Sequence, residues 1–301
     1  MLQLQPFSPF IRTRSVLLAV GILHILVCSV FSATNQFPSN SVTPSSQNGE
    51  DQFRLGRAYY RGEGVSQSYE LAGVWYRKAA DQGNLKAMNN LGIMFLEGQG
   101  TTKDESQAFS WFRKAAEHGD PRSCYLCGLL LCEGRGVPRN IDEGIIWMRK
   151  AADAGNSAAL CHLGIDYLLG EDGVPKDPKA AIPLLRSAAE KGHPGAMGQL
   201  GIILKEGTVL PKDEAKGEEL LIKAAELGDS ASQFQYATEL MDRDPVKAYP
   251  WASLALLGGN QMARPLQTEC MKKMSPEQIA AADAEVRQIR KKNNPNPAGG
   301  M

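Results

Sequence analysis

One nine-residue segment returns along the chain in fixed register: WYRKAADQG from Trp75, WFRKAAEHG from Trp111, WMRKAADAG from Trp147, LLRSAAEKG from Leu184 and LLIKAAELG from Leu220. A degenerate sixth copy, WASLALLGG, starts at Trp251. The starts are separated by 36, 36, 37, 36 and 31 residues. That period belongs to two-helix repeats, which stack in a line instead of folding around one centre. The 301 residues therefore need not form the two domains that length alone would predict.

Seven residues before each copy stand Ser68, Asp104, Asn140, Asp177, Asp213 and Asp244. All six are types whose side chains accept from the free N–H groups of a helix start. Fifteen residues after each cap stand Gly83, Gly119, Gly155, Gly192, Gly228 and Gly259, suited to the left-handed position that ends a helix. Cap and stop frame one helix, B, in every unit. A preceding helix, A, carries Leu55-Gly56, Leu91-Gly92, Cys127-Gly128, Leu163-Gly164, Leu200-Gly201 and finally Tyr236-Ala237. Glycine inside a helix costs roughly 1 kcal/mol against alanine. Its return at one position implies close approach by a neighbouring helix. Tyr59, Phe95 and Tyr167 follow that glycine by three residues and are expected as packing knobs. Gly62 and Gly64, Gly98 and Gly100, Gly134 and Gly136, Gly170 and Gly173, and Gly207 mark the turns into helix B.

The pattern LG-x2-[YF]-x2-G-x-G, then D-x3-A-x2-W-[YF]-R-K-A-A-x2-G, resembles the Sel1-like repeat, a TPR-like unit. Leu91 to Gly119 follows it almost position by position, and the resemblance runs from about Asp51 to Gly259. AYPWASLALLGGN from Ala248 and MSPEQIAAADAEVRQI from Met274 are similar to the ends of bacterial members. The resemblance implies an all-α fold, an α/α superhelical solenoid of helix-turn-helix repeats. It also implies a scaffold or adaptor that binds a protein or peptide on a concave solenoid surface. Ser275, Pro276 and Gln278 form a capping box for a last helix that covers the open end of the stack. The expected organisation is a signal peptide or membrane anchor over 1–33, a disordered linker over 34–50 and six repeats over 51–259, the last degenerate. Capping helices over 260–292 and a disordered tail over 293–301 complete it.

Arg12 and Arg14 precede an apolar run from Val16 to Phe31, the charged start and apolar middle of an export signal. Val30 and Ser32 suit the positions before cleavage at Ala33. The run also approaches the ~20 residues of a spanning helix, so membrane association through residues 15–33 is the alternative. The protein is expected to be exported: periplasmic or secreted, or else anchored in the inner membrane. The stretch ATNQFPSNSVTPSSQNG that follows has no apolar period and reads as a tether. Lys plus Arg equals Asp plus Glu, at 33 each, so no basic footprint for nucleic acid exists. Arg287, Arg290, Lys291 and Lys292 suit the negative end of a helix dipole.

A turn of 100° per residue puts Ala87, Met88, Leu91, Gly92 and Phe95 on the packing side of the second helix A. Lys86, Asn90, Ile93 and Glu97 stand opposite. The Asn90 column reads Arg54, Asn90, Leu126, His162, Gln199 along the repeats. The Ile93 column reads Arg57, Ile93, Leu129, Ile165, Ile202, and Arg61 opens the Glu97 column. Two readings stand. One is a protein-binding groove with an apolar floor and a basic entrance, fitted to an apolar peptide or helix followed by an acidic residue. The other buries the column against the next helix A.

No catalytic, cofactor or metal site is expected. Cys124 and Cys127 form a C-x-x-C on helix A, with no second pair at zinc spacing. With Cys132 and Cys161 they read as small buried hydrophobes, and an irregular bridge among the four stays open in an oxidising compartment. Some relatives implied by the resemblance staple helix B to the next helix A. Ala116 and Ala152 stand where the second cysteine would be, so that staple is absent. His162 and Asp166, four apart, read as a surface pair. Other function classes are a membrane-anchored assembly or regulatory factor, a cell-wall or carbohydrate-binding module, and a β-lactamase-like hydrolase. The groove columns carry no aromatic for a sugar, and no serine–lysine pair serves a hydrolase.

Overall fold

A computed structural model describes residues 48–293. The signal or anchor at 1–33, nearly all of the linker and the tail beyond 293 lie outside the described residues. Among the described residues there are fourteen helices and no strand. They fall into two compact units, one ending at His193 and one starting at Pro194.

The first unit holds four helix pairs. Helices A are α1 (Gly49–Arg61), α3 (Leu85–Glu97), α5 (Pro121–Glu133) and α7 (Ser157–Leu169). Helices B are α2 (Tyr69–Asp81), α4 (Glu105–Glu117), α6 (Ile141–Asp153) and α8 (Pro178–Glu190). In the second unit α9 (Pro194–Glu206) pairs with α10 (Glu214–Glu226), and α11 (Ser230–Met241) with α12 (Pro245–Leu257). Two further helices follow, α13 (Ala263–Lys272) and α14 (Pro276–Asn293). Helix α1 begins inside the stretch expected as linker, because Asn48 caps it by accepting from Asp51 N–H at 2.8 Å.

The punctuation read from sequence is the punctuation of the fold. Ser68, Asp104, Asn140, Asp177, Asp213 and Asp244 all accept backbone N–H bonds at the starts of helices B. Removing one such cap is worth about 1 kcal/mol. Asp104→Ala is therefore expected to lower unfolding stability by about that amount, measured by urea titration against Asp104→Asn, which keeps an acceptor and loses only a few tenths. The six stop glycines have φ between 81° and 92°. Five close a Schellman turn on the alanine pair, and Gly259 closes one on Ala255 and Leu256. Gly83 N–H bonds to Ala80 O at 2.9 Å and Asn84 N–H to Ala79 O at 3.1 Å, and the same pattern recurs after each helix B.

A second series of caps went unread in the sequence. Asn84, Asp120, Asn156 and Asp229 follow the stop glycine directly, and each accepts from the first turn of the next helix A. The residue that closes the turn after one helix thus starts the next, and three residues, such as Gln82, Gly83 and Asn84, link the two.

The glycine seam faces helix B of the same pair. A Cβ on Gly92 would lie 2.6 Å from Phe112 Cδ1, and one on Gly128 would lie 2.7 Å from Gly144 O and Met148 Cγ. Trp75, Trp111 and Trp147 are buried. The lysine three residues on covers each ring, at 4.3, 4.3 and 4.0 Å from the centroid. Of the three expected aromatic knobs only Phe95 is fully buried; Tyr59 and Tyr167 are half-buried.

In the second unit α13 and α14 cover α12. Ala248, Tyr249, Cys270, Met274 and Ala282 form a small core, flanked by Leu240, Met241, Val246 and Ile279. Ser275 N–H donates to Gln278 Oε1 at 2.8 Å and Gln278 N–H to Ser275 Oγ at 3.3 Å, the expected capping box. All five cysteines among the described residues are buried. Burial pushes the Cys127 thiol up to about 12, which leaves it inert at neutral pH. No helix among the described residues is long and apolar enough to cross a membrane.

Candidate functional site

A cavity of about 590 Å3 opens in the first unit. Helix periodicity builds it. Phe53, Arg57, Tyr60 and Arg61 share one face of α1, and Lys86, Asn89, Asn90, Ile93 and Glu97 one face of α3. Tyr76 enters from α2, and Asp120 and Arg122 from the start of α5.

The floor is aromatic and aliphatic. Phe53 and Tyr60 lean on Tyr76, with centroids 5.7 and 6.4 Å away. Burial pushes the Tyr76 hydroxyl up to about 12, against a hydrogen bond from Asn90 that works downward. Tyr60 donates to Gln99 Oε1 at 2.6 Å. Its pKa is raised, first by burial and then by the charge of Glu97. Desolvation at the wall also raises the Glu97 pKa, and Arg122 works against it.

The rim is basic. Arg57, Arg61, Lys86 and Arg122 outnumber Glu97 and Asp120. Asp120 is already engaged as a cap, accepting from Ser123 N–H at 2.8 Å. Glu63 lies 3.8 Å from Arg57 and 3.3 Å from Arg61, with all three side chains about half exposed. Exposed ion pairs of this kind are worth ~0–1 kcal/mol, so an incoming carboxylate can take Glu63's place. One polar group inside is unmet. Asn89 is 3% exposed and donates from Nδ2 to Ser123 Oγ at 2.9 Å, yet its Oδ1 accepts no hydrogen bond. Leaving a buried acceptor unmet costs about 1–3 kcal/mol.

Six of the residues named from sequence therefore meet here: Arg57, Arg61, Lys86, Asn90, Ile93 and Glu97. Arg54 lies outside, drawn toward Glu50 at 3.6 Å and Asp51 at 3.8 Å. Leu126, Leu129, His162 and Ile165 are half-buried in the first unit and do not line the cavity. Gln199 and Ile202 are half-buried in the second unit. Ile93, Leu129, Ile165 and Ile202 thus stand between full exposure and full burial. The sequence reading missed Phe53, Tyr60, Tyr76, Asn89, Asp120 and Arg122. The neighbouring column, Phe53, Asn89, Tyr125, carried a signal, since it puts large polar or aromatic groups beside the packing face. The surface pair needs correction: Asp166 is only 2% exposed, and His162 Nε2 is 4.0 Å from its Oδ1. The Asp166 position is the core column of Met94 and Leu130, so the helix turns it inward.

A family model described as Sel1 repeat matches residues 49–84, 85–120, 121–156, 157–193 and 194–229. It stops short of the α11–α12 pair, which keeps the Asp244 cap and the Gly259 stop. A search of curated proteins finds no match. Among solved structures, a Sel1 repeat protein from Oxalobacter formigenes is 30% identical, with a TM-score of 0.61, covering 76% of this chain and 87% of that one. A protective antigen present in uropathogenic Escherichia coli strains, displaying an SLR fold, is 27% identical with a TM-score of 0.51. That match covers 83% of this chain and 62% of the antigen.

Proposed function

The chain belongs to the Sel1 repeat family, and from that premise we propose that it is an exported scaffold or adaptor whose first two repeats hold a peptide segment of a partner protein. The segment carries apolar side chains followed by an acidic residue. The observation that carries this reading is the cavity: an apolar floor of Phe53, Tyr60, Tyr76 and Ile93 beneath a rim with an excess of cations. Leu129 and Ile165 are a proposed continuation of that binding surface within the first unit. Export rests on Arg12, Arg14 and the apolar run to Phe31, with Ala33 as the mature first residue; an uncleaved inner-membrane anchor is the alternative. Sequencing the N-terminus of protein recovered from the cell envelope decides between them.

A glycan reading has three aromatics in its favour, where the sequence columns had none. Phe53 and Tyr60 turn toward Tyr76, however, and Tyr76 is almost fully buried. Tilted against one another, the rings offer little open face to a sugar. The family is generally a non-enzymatic scaffold, and we read this member as a binding protein.

Peptides selected from a random display library on the wild-type protein test the site. The expected consensus is an apolar residue followed by Asp or Glu. Arg57→Glu and Ile93→Asp should each weaken a selected peptide by about tenfold or more, the worth of one buried charge or apolar anchor. Peptides that bind both variants as well as wild type would move the site elsewhere.

A further inference from the structure

The fourth repeat departs from the other three of its unit in two places that meet. The core column of helix A reads Ala58, Met94 and Leu130, and then Asp166. Met94 and Leu130 are 0% and 1% exposed, and Asp166 is 2% exposed, so a carboxylate occupies a seat built for an aliphatic side chain. The turn after this helix is also the one that carries the extra residue of the 37-residue repeat. That turn places Asp172 inward, at 6% exposure. His162, one helical turn before Asp166 on α7, completes the group. One ligand-capable atom from each of the three side chains lies within 4.8 Å of the others.

Two carboxylates brought out of water at one spot repel each other, and each carries a desolvation penalty of several kcal/mol. A dication offsets both at once and leaves the site neutral. We propose that His162, Asp166 and Asp172 bind a divalent cation of the zinc class. The donor set decides the class: an imidazole nitrogen favours zinc over magnesium or calcium, which prefer oxygen alone. Zinc bonds of about 2.1 Å put the ligand atoms of a tetrahedral site about 3.4 Å apart. Closing from the present separation takes shifts of about 1 Å, which the loop side chain of Asp172 can supply. The Tyr125 ring meets the His162 ring edge-on at 6.2 Å and holds the imidazole in place. His162 is about a quarter exposed, which leaves a path for the ion and a water as fourth ligand. Bound there, the ion fastens the lengthened loop to α7 and fixes the turn into α8.

The test uses the full chain, stripped with a chelator and titrated with zinc chloride by calorimetry and thermal melting. One equivalent should bind, and Tm should rise by about 4 °C or more at a hundredfold excess over Kd. Magnesium should do neither. Asp172→Asn and His162→Gln should each weaken zinc at least tenfold and remove the Tm shift. Asp166→Leu, which restores the aliphatic of the column, should keep the helical circular dichroism signal and show no zinc response. Failure of the wild type to bind zinc would overturn the proposal. So would saturable zinc binding that persists in all three variants, since the ion would then sit elsewhere, for instance on the thiols.

Discussion

Gly136→Ala is expected to cost about 3–5 kcal/mol, whereas Gly64→Ala, at the same point of the first repeat, should cost only about 1–2 kcal/mol. The two glycines have the same left-handed backbone, with φ of 67° and 75°. Any side chain pays that strain at either position. The difference is what a Cβ meets. At Gly64 nothing lies within 4 Å. At Gly136 the added carbon would overlap the carbonyl carbon and oxygen of Glu105 and lie 2.6 Å from Ser106 N. These are backbone atoms of the first turn of α4, in the preceding repeat, and they cannot rotate aside. Parting loop from helix would also strain the bond from Ser106 Oγ to Gly136 O, at 2.8 Å, and the ion pair of Arg135 with Glu105, also 2.8 Å. Gly100 meets Tyr69 in the same way, its Cβ 2.5 Å from the carbonyl carbon. In the second and third repeats the second glycine of the loop is thus a fastener between repeats as well as a turn residue. The first repeat has no described predecessor to touch. Urea unfolding of the two variants, side by side, gives the measurement. Equal losses would mean that the glycines serve turn geometry alone.

That comparison marks where sequence reading stops. Turn geometry is local, and it was legible: caps, stops and the positive-φ glycines all follow from side-chain type and spacing. Contact with the preceding repeat is not local, and nothing in Gly-x-Gly distinguishes Gly64 from Gly136. The caps Asn84 and Asp120 escaped for a related reason, since they sit where the loop was expected and serve two helices at once. At the cavity, projection of α3 alone found Lys86, Asn90, Ile93 and Glu97. Phe53 and Tyr60 needed the register of α1 against α3, and Tyr76 needed the crossing of α2, which only packing fixes. Asp166 was the reverse case. Its column was available, but the i to i+4 spacing with His162 suggested an exposed pair, and the column of Met94 and Leu130 prevailed.

The seam offers the sharpest test of how packing fixes those positions. Gly92→Ala should lose about 2–3 kcal/mol, although alanine is the better helix former by roughly 1 kcal/mol. The reason is Phe112, whose ring is fully buried and whose Cδ1 would stand 2.6 Å from the new methyl. Phe112→Leu alone should also destabilise, by about 1–2 kcal/mol of lost burial. Together the two changes should cost less than their sum by at least about 1 kcal/mol, because the smaller side chain makes room for the methyl. Strict additivity in the cycle would assign the glycine some other role. The same seam reaches the cavity one repeat earlier. There Gly56 lies against Tyr76, with an added Cβ 2.6 Å from its Cδ1. Tyr76 is the floor on which Phe53 and Tyr60 rest. A methyl at Gly56 therefore has to move that ring, and with it the surface offered to a ligand. Gly56→Ala should weaken a selected peptide while Gly92→Ala, displacing a ring outside the cavity, should leave its affinity within about twofold once stability is allowed for. A close helix crossing is in this way both what lets each pair form and what sets the depth of the binding floor.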